Sequence, residues 1–136
     1  MAYAQWVSIS IQSVGSTIQV KNAKLAWGKF YEGNKDNEIS TDQVNKLVIT
    51  SGNSVQIASC GREDSASGTE GSFDLYHDDI KIGTYYWECP WGSKTNISTW
   101  TPNDVAEYIT QVSGGNLDSG ALGNITIKCA SMVMAQ

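Results

Sequence analysis

Apolar and polar residues alternate with a period of two along most of the chain. In Trp6-Val7-Ser8-Ile9-Ser10-Ile11, Val7, Ile9 and Ile11 fall on one face and Trp6, Ser8 and Ser10 on the other, the pattern of a half-buried strand. Gly15-Ser16 predicts a turn, followed by short strands over Thr17 to Val20 and Ala23 to Phe30. Tyr31 to Asp42 is polar, contains Gly33-Asn34, and reads as a loop. Lys46 to Thr50 and Val55 to Ser59 predict strands on either side of the turn Ser51-Gly52-Asn53. Gly61 to Gly71 has almost no apolar residue and reads as a second loop. Further strands are predicted over Ser72 to Tyr76, Ile80 to Trp87, Asn96 to Thr101, Ile109 to Val112 and Ile125 to Cys129. The loop Glu88 to Thr95 and the glycine-rich stretch Ser113 to Gly123 interrupt them. Pro102-Asn103-Asp104 would suit the cap of one helical turn over Val105 to Tyr108, with a strand as the equal alternative. Many short strands with turn signals at regular spacing predict an all-β sandwich or barrel, in one domain over residues 1–136.

Composition narrows the function. With 40% hydrophobic and only 17% charged residues among 136, the chain can bury a full core. A formal net charge of -5 argues against nucleic acid and against a polybasic grip on anionic lipid. No run approaches the roughly 20 apolar residues of a spanning helix. The N-terminus, Met-Ala-Tyr-Ala-Gln-Trp, lacks the charged and apolar regions of a classical signal peptide. The expectation is therefore export by another route, or a cytoplasmic stay until release, with action at target-cell membranes. Cys60, Cys89 and Cys129 are odd in number and widely spaced, which fits neither a disulfide framework nor a zinc site. At least two should be buried. Cys89, beside Pro90 in the expected loop, is the candidate for an exposed, oxidisable thiol.

Catalytic chemistry finds little to stand on. The single histidine, His77, sits in Tyr76-His77-Asp78-Asp79 with no nucleophile motif beside it and reads as a solvated turn. Glu63, Asp64 and Glu70 offer a carboxylate pair for glycoside chemistry, but a solvated acidic loop is the simpler reading. No phosphate-binding or dinucleotide fingerprint occurs. The expectation is a protein that is not an enzyme and takes no cofactor or metal. Asn96 and Asn124 head Asn-x-Ser/Thr sequons, read as chance matches.

The aromatic residues point to binding. There are five tryptophans and six tyrosines. Trp100, in an alternating strand, reads as core. In Tyr85-Tyr86-Trp87-Glu88-Cys89-Pro90-Trp91-Gly92-Ser93-Lys94, four large aromatics lead from a strand into a loop, and alternation buries only about half of them. The rest form an exposed patch beside Lys94. Indoles favour the membrane interface and hold ammonium groups by cation–π attraction, and a lysine pairs with phosphate. That is the demand of a zwitterionic phospholipid headgroup, with Glu88 as a further acceptor. A sugar ring would suit the same residues.

Four segments carry a resemblance: Met1 to Val7, Cys60-Gly61-Arg62 through Gly71-Ser72-Phe73-Asp74-Leu75, Trp87 to Asn96 with its core Pro90-Trp91-Gly92-Ser93-Lys94-Thr95-Asn96, and Asn116-Leu117-Asp118-Ser119-Gly120-Ala121-Leu122-Gly123. In this order they resemble the aegerolysin family of fungi and bacteria nearly end to end. The resemblance implies an antiparallel β-sandwich that recognises membrane sphingolipids. Ceramide phosphoethanolamine is the favoured ligand, with oxidised phospholipids or lysophospholipids, or a lectin-like carbohydrate role, as alternatives. It also implies that a membrane-attack-complex/perforin-type protein can serve as a pore-forming partner, as in a two-component cytolysin, although a bacterial member, which this chain would allow, needs none. By position, the implied lipid-binding residues are Trp6, Trp27, Tyr86, Trp91 and Lys94. Sphingomyelin/cholesterol-binding members of the family carry a glutamate where this chain has Ser67, just before Gly68, so cholesterol-gated recognition is not expected.

Overall fold

A computed structural model describes residues 2–132. Met1 of the first family segment and Val133 to Gln136 lie outside the described residues. The described chain folds as two packed sheets. β1 (Trp6–Val14), β3 (Lys29–Glu32), β4 (Asn34–Ile39), β6 (Ser54–Cys60), β10 (Tyr108–Gly114) and β11 (Gly123–Ser131) make a six-stranded sheet in the order β10-β11-β1-β6-β3-β4. β2 (Ile18–Trp27), β5 (Val48–Ile49), β7 (Thr69–His77), β8 (Ile80–Cys89) and β9 (Ile97–Pro102) make a five-stranded sheet in the order β5-β2-β7-β8-β9. The β1–β11 pair is parallel and the other pairs are antiparallel.

The inward residues of the period-two pattern meet between the sheets. Val7, Ile9 and Ile11 of β1, with Ile125 and Ile127 of β11, share one core with Phe73, Leu75, Tyr85 and Trp87 of the facing sheet. Phe73 lies 5.7 Å from Tyr85 and 6.2 Å from Trp87 between ring centroids, within the range of favourable aromatic pairs. Trp87 lies over Gly71, its cross-strand partner: a Cβ there would come within 2.6 Å of the indole. Trp100 is half-buried against the same core and donates its indole N–H to Thr110 Oγ1 at 2.8 Å, so its core reading holds in part.

Several local expectations change. The two strands expected over residues 17–20 and 23–30 are one bent strand, β2, up to Trp27. Asn22 joins them in a left-handed conformation (φ 57°) at a bulge, and its amide donates to Asp74 Oδ2 at 2.8 Å. At Gly28 (φ 91°) the chain leaves the five-stranded sheet and starts β3 in the other. A side chain there would meet the Cys60 carbonyl at 2.6 Å.

The polar stretch 31–42, expected as a loop, holds the second half of β3, all of β4 and the start of a single turn of helix, α1 (Thr41–Val44). β4 is a sheet edge and mostly exposed, so it is polar on both faces and shows no alternation. α1 is opened by Ser40, whose hydroxyl accepts from Gln43 N while the Gln43 side chain accepts from Ser40 N. The helical turn considered at 105–108 is instead a bend, with Asp104 Oδ1 accepting from Ala106 N and Glu107 N before β10. The expected strand over 46–50 is reduced to Val48–Ile49. β7 begins at Thr69, inside the expected loop, and β8 runs on to Cys89. That last extension overturns the reading of Cys89: its thiol is fully buried and donates to the Gly120 carbonyl at 3.3 Å. Cys60 and Cys129 are buried free thiols as well.

Candidate functional site

The site lies where four strands of the five-stranded sheet reach the same end of the sandwich. Trp27, Glu70, Glu88 and Ile97 are successive cross-strand partners on β2, β7, β8 and β9. In β8, Trp87 and Cys89 point into the core, so Tyr86 and Glu88 point outward beside that row. Above the row stand the loops 61–68 and 90–96. Between loops and sheet is a cavity of about 440 Å³ lined by Trp27, Ser67, Glu70, Glu88, Trp91 and Lys94, among others. Trp27 is 59% exposed and Trp91 39%. Lys94 is exposed.

Like charges directly opposite each other on neighbouring strands repel, and Glu70 faces Glu88 in this way. Tyr86 mediates between them. Its hydroxyl donates to Glu70 and lies 3.2 Å from Glu88 Oε2. Burial, and then the hydrogen bond to Glu70, push the phenol pKa well above its ordinary value, so Tyr86 stays a neutral donor. One hydroxyl carries one proton, and two carboxylates have many more lone-pair sites than it can fill. The cavity therefore keeps acceptor capacity for a cation with N–H donors, next to two indole faces and an ammonium group.

The walls are held by long-range contacts. Asn96 is 5% exposed; its amide donates to Asn116 O at 2.8 Å and Gly120 O at 3.1 Å, and its backbone N–H donates to Asp118 O. The third and fourth family segments thus brace each other. A buried amide with both hydrogens engaged is no glycan acceptor in the folded chain. Gln5 Nε2 donates to Pro90 O at 2.7 Å, tying the N-terminal segment to the Trp91 loop. Arg62 forms a two-pronged pair with Glu38, at 3.1 and 3.0 Å, which anchors loop 61–68 to β4 and holds the Glu38 carboxyl below its usual range.

Of the five residues named from sequence, Trp27, Trp91 and Lys94 line this cavity, and Tyr86 adjoins it through Glu70 and Glu88. Trp6 stands apart, half-buried on the outer face of the six-stranded sheet. Ser67, the departure from the sphingomyelin/cholesterol-binding pattern, lines the cavity, and its hydroxyl is 2.7 Å from that of Ser65. Glu70, expected in a solvated acidic loop, lies on β7. The signal for it was available: Glu70 and Ser72 alternate with Gly71 and Phe73 as Tyr86 and Glu88 alternate with Trp87.

His77 lies at the other end of β7, its Nδ1 2.8 Å from Thr17 O and its ring 6.2 Å from that of Tyr108. Among the described residues no group of three or more His, Cys, Asp or Glu side chains gathers to hold a metal ion.

Known proteins resemble the chain in sequence and in fold. A family model described as Aegerolysin matches residues 4–132. Aegerolysin Aa-Pri1 of Cyclocybe aegerita is 50% identical over 132 residues, covering 93% of this chain and 90% of the relative. Ostreolysin A6 of Pleurotus ostreatus is 47% identical, covering 93% and 95%. Among solved structures, IP-1A from Alcaligenes faecalis has a TM-score of 0.93 at 46% identity, covering 98% of this chain and 96% of that one. A bacterial origin is not borne out: the two relatives of higher identity are fungal, and a bacterial structure is nearly as similar.

Proposed function

The chain belongs to the aegerolysin family, whose members are lipid-binding and not enzymes, and we propose that it reads the phosphoethanolamine headgroup of a sphingolipid at a membrane surface. The observation that carries this reading is the facing pair Glu70 and Glu88, sharing one Tyr86 hydroxyl, in a cavity that also holds Trp27, Trp91 and Lys94. A primary ammonium brings N–H donors to both carboxylates and relieves their repulsion, in charge-assisted bonds about twice as strong as neutral ones. A quaternary ammonium brings none and keeps only the cation–π attraction to the indoles. Lys94 then pairs with the phosphate. Ser67 leaves room, and no charge, at the position where the cholesterol-dependent pattern has glutamate.

Sedimentation with phosphatidylcholine vesicles doped with ceramide phosphoethanolamine, or with sphingomyelin with and without cholesterol, tests the proposal. The chain should sediment best with the ethanolamine lipid and need no sterol. Glu70→Gln should reduce that preference over sphingomyelin by about tenfold, the scale of one charge-assisted hydrogen bond. Equal binding to both headgroups by the unaltered chain would overturn the ethanolamine reading. Binding only to oxidised or lysolipid vesicles would replace the sphingolipid reading altogether. The proposal extends to localisation and partners: the chain acts at target-cell membranes from outside and is the lipid-reading half of a two-component cytolysin. Dye release from vesicles carrying the bound chain, on addition of a membrane-attack-complex/perforin-type protein and not before, is the expected sign of that division of labour.

A further inference from the structure

The headgroup cavity leaves Trp6 unused. Across the outer face of the six-stranded sheet, Tyr31 on β3, Ala58 on β6, Ser8 on β1 and Asn124 on β11 form one cross-strand row. The two middle residues are small. A notch therefore opens between the ring of Tyr31 and the amide of Asn124, with Trp6, Gln56 and Glu32 at its rim and a volume of about 190 Å³. Tyr31 is 8% exposed as a residue, and its hydroxyl, which makes no hydrogen bond to another described residue, is reachable from this notch. Burial raises its pKa, so it remains a neutral donor.

The nearby cations are committed elsewhere. Lys29 Nζ donates to Tyr3 Oη at 2.8 Å, and Lys35 Nζ donates to Tyr3 O at 2.7 Å while lying 5.4 Å from the centre of the Trp6 ring. The notch is thus lined by two aromatic rings, two carboxamides, two hydroxyl groups and one carboxylate. Gln56 already donates to the Ser8 hydroxyl, but an acyl chain would leave the Tyr31 hydroxyl and the Asn124 amide unpaired, and a phosphate would meet Glu32 with no lysine in the lining. A ring with an apolar C–H face and a rim of hydroxyl groups satisfies both kinds of surface at once. We propose that this notch is a second binding site, for one neutral six-membered sugar ring. The ring comes from a glycolipid headgroup or from a soluble glycan. Gln5, next to Trp6, bonds to the Pro90 carbonyl, so the notch opens near the end of the sandwich that carries Trp91.

Titration of ¹⁵N-labelled protein with methyl β-D-glucopyranoside and with methyl β-D-galactopyranoside is the test, supported by flotation with vesicles containing glucosylceramide or galactosylceramide. At least one glycoside or glycolipid should move the Trp6 indole N–H and the Gln56 and Asn124 side-chain amides, with the Trp91 indole unmoved by the glycoside. Tyr31→Phe, which deletes only the hydroxyl, should weaken the affinity about fivefold, the value of one hydrogen bond. Glu70→Gln should leave it unchanged, which separates this site from the headgroup cavity. Response to the soluble glycoside marks a free glycan as sufficient, and response to glycolipid vesicles alone marks the membrane as the source. Silence of Trp6 toward all four sugars, or an affinity unaltered in both Tyr31→Phe and Asn124→Ala, would overturn the proposal.

Discussion

Trp87 and Trp91 are four residues apart and meet opposite fates. Trp87 is fully buried, 6.1 Å from Phe30 between ring centroids, and its indole N–H donates to Thr69 Oγ1 at 3.1 Å. Trp91 stands 39% exposed on the cavity rim. Truncating each should therefore separate stability from binding. Trp87→Ala should cost about 3–5 kcal/mol of stability, the scale of emptying an aromatic site in a core. Trp91→Ala should leave the urea midpoint unchanged and lower the affinity for sphingolipid vesicles by about tenfold or more, since a large apolar contact with the lipid is lost. Loss of stability without loss of binding in Trp91→Ala would mean that the indole packs inward. This contrast was legible in the sequence, because the alternation Tyr85-Tyr86-Trp87-Glu88 assigns each side chain a face as long as the strand lasts. What periodicity does not state is where a strand stops. Pro90 signals a loop at Cys89, yet the ladder to Thr69 continues to that residue.

Among the elements, edges and loops were the least readable, for reasons that lie in the packing. An edge strand such as β4 has only one paired side and no buried face to impose alternation, so its polar composition resembles a loop. The loops expected over 88–95 and 113–123 overlap the observed ones, although Asn96, expected in a strand, belongs to the loop; their mutual support does not show in sequence, because the contacts of Asn96 reach residues 20 and 24 positions away. Those contacts make Asn96 a strut between two elements. Asn96→Ala should remove the side-chain donor from Asn116 O and leave Gly120 O only the weak Cys89 thiol, at a cost of about 1–3 kcal/mol for the two lost hydrogen bonds. Amide exchange should accelerate in both loops together while the β-strand amides keep their protection. Vesicle binding should weaken as well, because Trp91 and Lys94 sit on one of the two loops. Faster exchange confined to loop 90–96 would show that the two loops are not coupled through this side chain.

At the scale of the molecule, a net charge of -5 leaves the whole chain with no long-range attraction to an anionic membrane, so under the proposed function recognition falls to the cavity at one end of the sandwich. The sandwich that presents the site rests on a core containing groups that tolerate only their neutral forms. Burial pushes the Tyr85 phenol from 10.0 up to about 12, against a smaller downward pull from the hydrogen bond to Ser98, and the Cys129 thiol from 9.0 up to about 12. Below pH 9.0 both groups hold their protons in the folded and the unfolded chain, and stability does not depend on them. As pH rises past 9.0 and then 10.0, the unfolded chain gives up these protons first, so it is favoured progressively until the folded groups ionise near 12. The urea midpoint should accordingly be level at neutral pH and fall between pH 9.0 and about 12. Tyr85→Phe retains most of the buried ring and removes the ionisable hydroxyl, so it should make the fall shallower above pH 10.0 in particular. Vesicle binding by the folded fraction should persist over the lower part of that range, because Tyr86, held neutral by burial and by Glu70, still bridges the two carboxylates. A midpoint that stays level to pH 12 would show that the fold does not hold these protons more tightly than the unfolded chain, and a fall equally steep in Tyr85→Phe would show that the alkaline loss arises elsewhere.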